Sequence, residues 1–224
     1  MKKNERKWNL VQTALRLFKK KGYENVTVDE IYAAVGITKP TFYNHVGRKE
    51  MILVEFFHNK EEMFLPSARK YLSIGRPAAA FQSLFTGFHT IAMEMGPELL
   101  CVYMNYILKN PAYADTFNRE HLELIESSLR KLQELDIISS RQAPEDLALM
   151  MLQLNDGLMT LWAGRKGSFH LVEMFQNWSR LLLGVNRIPK GVLPEDESEL
   201  LYSSPLDPLK PLDEDRSESS EPSK

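Results

Sequence analysis

Apolar side chains recur at helical spacing along nearly the whole stretch from Glu5 to Val185. Near the start, Val11, Ala14, Leu15 and Phe18 fall at i, i+3, i+4 and i+7, the stripe that one face of an amphipathic helix buries. Lys19, Lys20 and Lys21 follow, favourable at the negative end of the helix dipole, and Gly22 is placed to stop the helix. A second helix starts at Thr27, with Glu30 three residues on as a capping box. It turns Val28, Ile31 and Val35 inward and ends at Gly36. Thr38 caps a third helix, whose Pro40 is tolerated because first-turn amides have no intrahelical partner. A fourth starts near Arg48, carries Ile52, Leu53, Phe56 and Phe57, and is expected to end before Pro66. Pro77, Gly96–Pro97, Pro111 and Pro144 punctuate the longer helical stretches beyond it. Period-2 alternation of β-branched residues is absent, so the pattern predicts an all-α fold.

Helices two and three are separated only by Gly36, Ile37 and Thr38. Two short helices joined by such a glycine-containing turn form a helix-turn-helix. A helix as short as the third is unstable alone, so it must be held by its neighbours. Val35, Ile37, Phe42 and Val46 can supply that packing. The opposite face then shows Lys39, Thr41, Tyr43, Asn44 and His45, side chains suited to base edges and phosphate oxygens in a major groove.

Charge sharpens this picture. Residues 1–60 carry 12 Lys and Arg against 6 Asp and Glu, a net of +6, within a chain whose formal charge is -2. Residues 61–189 carry 12 against 14, and residues 190–224 carry 4 against 10. A basic first quarter points to a polyanion at that end, although a solvated basic face has the same composition. Cys101 is the one cysteine and sits in an apolar run, so a buried thiol is expected and a disulfide or cysteine-based zinc site is not. No apolar stretch approaches the roughly 20 residues that span a bilayer, and the basic N-terminus lacks an apolar signal core. A cytoplasmic protein with no membrane partner is the expectation.

The run Val35-Gly36-Ile37-Thr38-Lys39-Pro40-Thr41-Phe42-Tyr43-Asn44-His45-Val46, followed by Lys49-Glu50, resembles the DNA-binding domain of the tetracycline-repressor (TetR) family. Phe18, Gly22-Tyr23, Thr27, Ile31 and Ala33 extend the likeness over residues of roughly 6–57. The resemblance implies that Thr27 caps helix two and bonds a DNA phosphate. It implies a recognition surface of Thr38, Lys39, Thr41, Tyr43, Asn44 and His45, with Tyr43 and Lys49 reaching the phosphate backbone and Phe42 buried as a pin. Three positions depart from the family pattern. Pro40 stands where glycine is frequent, Arg48 where a serine or threonine often caps the fourth helix, and Val46 where phenylalanine is usual.

The resemblance implies a 1–47 helix-turn-helix domain followed by 48–188 as a helical effector-binding and dimerisation domain, and residues 189–224 read as an acidic tail. The tail is too poor in apolar surface to fold. Residues 145–163 and 169–184 read as two apolar helices joined by a Gly-Arg-Lys-Gly turn. The first is apolar on more than one side, which asks for cover beyond a single core. A homodimer interface is expected there through Met151, Leu154, Leu158, Trp162, Phe175, Trp178 and Leu182, although a deeply buried pair would look similar. In the resembled family the middle region holds an inducer pocket. The aromatic candidates here are Phe85, Phe88, His89, Tyr103, Tyr106, Phe117 and His121, any of which could equally be ordinary core. His58 and Glu62 share a helix face, but one such pair falls short of a metal site.

The chain has no Gly-rich phosphate loop, nucleophile motif or carboxylate–histidine cluster at metal spacing, so no enzyme activity, cofactor or metal is expected. The expectation is a ligand-responsive transcriptional regulator, more often a repressor in such families. Its partners are double-stranded DNA, a second copy of itself and a small-molecule effector of unknown identity. The rival is a helical ligand-binding or interaction module whose helix-turn-helix is structural only.

Overall fold

The computed structural model describes residues 3–110 and 119–185; Phe117 and the 189–224 tail lie outside them. Among the described residues there are nine helices and no strand, apart from one antiparallel bridge between Ile138 and Val185. The all-α architecture is the one the periodicity predicts.

Three helices make the N-terminal unit: α1 (Lys3–Lys21), α2 (Val28–Val35) and α3 (Lys39–Val46). Leu10, Val11, Ala14 and Phe18 of α1 are buried, together with Ile31 of α2 and Phe42 and Val46 of α3. The predicted stripe is therefore the one buried. Gly36 closes α2 in the left-handed region at φ 74°, where a Cβ would strain the backbone. Ile37 N then donates to Tyr32 O at 3.0 Å, turning the chain into α3.

The fourth helix departs from expectation at both ends. α4 runs Met51–Ser73, starting three residues later than Arg48 and passing through Pro66. The late start follows from the missing cap: Glu50 makes no side-chain bond to the first turn. Pro66 removes one amide and takes the helical donor from the carbonyl of Glu62, and both residues are exposed. Leu65 and Ala68 on the other side are buried, and their packing holds the helix through the proline.

α4 packs on α1 and α3, and also on α5 (Pro77–Met95), α6 (Pro97–Lys109) and α7 (Arg119–Glu134). It thus belongs to both the N-terminal unit and the body. Its contact with α5 is close enough that a Cβ on Gly87 would lie 2.4 Å from the Phe64 ring. α8 (Pro144–Gly164) packs on α6 and α7, and α9 (Leu171–Leu183) packs on α8 and α5. Prolines open α5, α6 and α8, as the punctuation predicts. Cys101 is exposed rather than buried, because α6 turns Leu99, Leu100 and Tyr103 inward instead.

Candidate DNA-contact helix and internal cavity

The N-terminal end of α2 is set by Thr27, whose Oγ1 accepts from Glu30 N at 3.2 Å. The reciprocal half of the capping box is not made: the Glu30 carboxylate pairs with Lys21 of α1. Thr38 caps α3 in the same way, accepting from Thr41 N at 3.4 Å, while its hydroxyl and that of Thr41 lie 2.8 Å apart. Phe42 is fully buried and pins the helix, its ring edge-on to Tyr43 at 5.4 Å. Thr27, Thr38, Lys39, Tyr43 and Asn44 are exposed; Thr41 and His45 are half-buried. Tyr43 shows 47% of its surface, unusual for an aromatic beside a buried phenylalanine. Lys39 leans on Asp29 of α2 at 3.4 Å, and this bonded carboxylate pushes its ammonium pKa up.

Lys49 is placed differently from the other seven. Its ammonium donates to the carbonyl of Tyr23 and lies 4.0 Å from the Tyr23 ring centre and 5.5 Å from that of Phe18. Burial pulls its pKa down. Here the cation closes the end of α1 instead of pointing outward with Tyr43.

In the body, a cavity of about 330 Å³ opens between α4, α5, α6 and α8. Its apolar wall includes Phe57, Phe88, Tyr103, Met104, Ile107, Leu108 and Met159. Phe57 and Tyr103 stack at 4.7 Å with their planes 6° apart. Two carboxylates reach the same space, Glu61 from α4 and Asp156 from α8. Glu61 is 4% exposed and bonds His58 Nδ1 at 3.1 Å, so the histidine pairs with Glu61 and leaves Glu62 exposed. Burial raises the Glu61 pKa, while the bonded carboxylate raises that of His58. Asp156 accepts from Asn155 Nδ2 at 3.2 Å, and burial pushes its pKa up to about 6.

Of the expected pocket residues, Phe88 and Tyr103 line this cavity. Phe85 does not; it stacks on Phe175 at 4.4 Å inside the core. His89 also packs against Phe175, and burial holds its imidazole down to about 4, neutral at ordinary pH. His121 is buried against the rings of Phe64 and Phe88. Tyr106 lies beside the cavity and bonds Met51 Sδ at 3.3 Å, linking α6 to the first residue of α4. Glu61, Asp156 and the Met104–Ile107–Leu108 edge are absent from the sequence expectation. Helical spacing alone does not say which carboxylates face inward.

The expected dimer set also divides. Met151, Leu158, Trp162 and Phe175 are buried by this chain's own helices, and a side chain already covered has no surface left for a partner. Trp162 Nε1 further donates to Phe169 O at 3.1 Å. Trp178 and Leu182 remain exposed and Leu154 half-buried. The exposed apolar surface of α8 and α9 consists of Leu149, Met150, Leu161, Trp178, Leu181 and Leu182. Among the described residues no helix is long and apolar enough to cross a membrane.

Residues 10–65 match the family model described as bacterial regulatory proteins, tetR family. Over 51 residues the chain is 43% identical to YerO of Bacillus subtilis (strain 168), an uncharacterized HTH-type transcriptional regulator; the match spans 23% of this chain and 18% of that protein. A longer match, 25% identical over 160 residues, covers 70% of this chain and 78% of DhaR, an HTH-type transcriptional repressor of Mycobacterium sp. (strain GP1). The fold is shared with FadR of Thermus thermophilus, a TetR family transcriptional repressor crystallised with lauroyl-CoA. That comparison has a TM-score of 0.63 and 22% identity, and covers 84% of this chain and 98% of that one. FadR of Bacillus halodurans gives 0.60 at 20% identity, covering 84% and 100%. Residues 10–65 thus form a helix-turn-helix unit of the TetR type, within a chain that shares its fold with TetR-family regulators.

Proposed function

We propose that this regulator is a cytoplasmic repressor that binds a palindromic operator as a homodimer and responds to a small molecule held in the body cavity. The observation that carries this reading is the double membership of α4. Its first turns pack on α1 and α3, while Phe57 and Glu61 further along line the cavity. Trp8 stacks on Phe56 at 5.8 Å and Lys7 pairs with Glu55 at 2.6 Å, so α1 follows any movement of α4.

On DNA, α3 enters the major groove with Lys39, Tyr43 and Asn44 foremost and Thr41 and His45 behind them. Thr27 and Thr38 approach the backbone at two helix N-termini, where partial positive charge favours phosphate. The second copy docks on the exposed apolar face of α8 and α9, forming a twofold dimer whose recognition helices read two half-sites. An effector acts only by its different affinity for the DNA-competent and incompetent arrangements, with about 1–3 kcal/mol of coupling as the ordinary scale. Nothing in this scheme calls for catalysis.

Selection of the purified protein against a randomised duplex pool, sequenced and repeated across salt concentrations, tests the DNA half. A recovered palindrome whose affinity falls with a log–log slope of about -0.9 per neutralised phosphate is expected. Binding that ignores sequence, or barely responds to salt, would instead favour a helix-turn-helix kept only as structure.

A further inference from the structure

The cavity is oddly furnished for an apolar ligand. Most of its wall is aromatic and aliphatic, yet Glu61 and Asp156 both reach it, and its lining residues include no Lys or Arg. The two carboxylates differ in what already serves them. Glu61 has a histidine partner, His58, at 3.1 Å, and that pair shares its charge. Asp156 is bonded by Asn155, a neutral amide that is itself fully buried. A carboxylate in such surroundings is costly to ionise unless something positive comes to it. Its raised pKa has the same cause: burial without a cationic neighbour.

The aromatic part of the wall suits an amphipathic cation as well. Phe57 and Tyr103 form a stacked pair, with Phe88 at 6.3 Å from Phe57. Aromatic faces attract cations through their quadrupole, most strongly where water is excluded. They also cover an apolar body without needing a hydrogen bond.

Resting on the reading of this space as an effector site, we propose that it takes an amphipathic organic cation, an amine or quaternary ammonium on an aromatic or alkyl body. The positive head sits at Asp156, with Glu61 as the second negative group, and the body lies against Phe57, Phe88 and Tyr103. A carboxylate or phosphate ligand of the same size meets two acidic groups and is rejected. Gln153 and Thr160, the remaining polar lining residues, are neutral and leave this preference unchanged.

The full-length protein is titrated calorimetrically with three probes of one shape: 4-phenylbutyltrimethylammonium, 4-phenylbutan-1-ol and 4-phenylbutanoate. The cation is expected to bind about tenfold or more tightly than the anion, with the alcohol between them. Asp156→Asn is expected to bring the cation down to the level of the alcohol while the alcohol itself binds as before, which shows the cavity intact. Glu61→Gln gives a smaller loss, because His58 shares its charge. Equal or tighter binding of the anion, no binding of the cation, or an unchanged cation affinity in Asp156→Asn would each overturn the proposal. Operator binding is measured separately. A cation that binds without altering DNA affinity upholds the ligand class and removes the effector reading. Intact operator binding without cation binding removes the ligand class alone.

Discussion

Lys39 and Lys49 bracket α3, and at the level of single residues they do different work. Lys39 is exposed and its partner Asp29 is itself on the surface, so DNA phosphate can replace that pairing at little cost. Lys39→Ala is expected to reduce the salt slope of operator binding by about one and weaken all sequences alike. Lys49→Met is expected to leave that slope unchanged and to lower the melting temperature, because its ammonium serves Tyr23 O and two rings. The resemblance to the TetR family puts Lys49 at a phosphate-contact position. What the sequence conceals is that Phe18 and Tyr23, 31 and 26 residues earlier, come to lie beside it. Asp156 carries a second residue-scale consequence. Its folded pKa of about 6 lies above the usual carboxylate value, so the fold holds this proton more tightly than the unfolded chain does. Its contribution to stability is therefore full below about pH 4 and is lost as pH rises through about 6. Asp156→Asn should stabilise the protein at pH 7.5 by about 1–3 kcal/mol and do much less at pH 4, read from denaturant titrations at the two pH values. Glu61 and His58 titrate in both proteins, so the difference between the two curves isolates Asp156.

Among the helices, α3 and α4 are held by opposite means. α3 has eight residues and depends on its neighbours, with Phe42 as its fully buried anchor. Phe42→Ala is expected to cost about 3–5 kcal/mol, read as a lower denaturation midpoint. α4 spans 23 residues and tolerates Pro66 because Glu62 and Pro66 are exposed while Leu65 and Ala68 are packed in the core. Pro66→Ala restores a hydrogen bond and relieves a clash but loosens the unfolded chain, for a net gain of about 1–2 kcal/mol. The helical turn and both threonine caps were legible because they depend on residues close together in sequence. The length of α4 was not, since a proline reads as a stop unless the burial on either side of it is known. α8 shows the same limit. Its apolar residues lie on several sides, and which of them this chain buries and which it leaves exposed follows from where α6 and α7 pack.

In the proposed dimer, that split separates association from folding. Leu181 is 80% exposed, Phe175 1%. Leu181→Glu together with Leu149→Glu should give a folded monomer in analytical ultracentrifugation, with unchanged helicity and greatly weakened operator binding. Phe175→Glu places an unpaired charge in the core and should unfold the chain. Finally, the unbroken run of α4 makes it a lever. Glu61 lies ten residues from Met51, about 15 Å along the axis. Tilting the helix by about 10° around Glu61 therefore swings Met51, and the unit packed on it, through about 2.6 Å. A twofold partner doubles this to about 5 Å, set against a half-site spacing of about 34 Å. In the proposed dimer, a ligand that shifts the cavity wall by less than the width of an atom thus puts the two recognition helices out of step with successive major grooves.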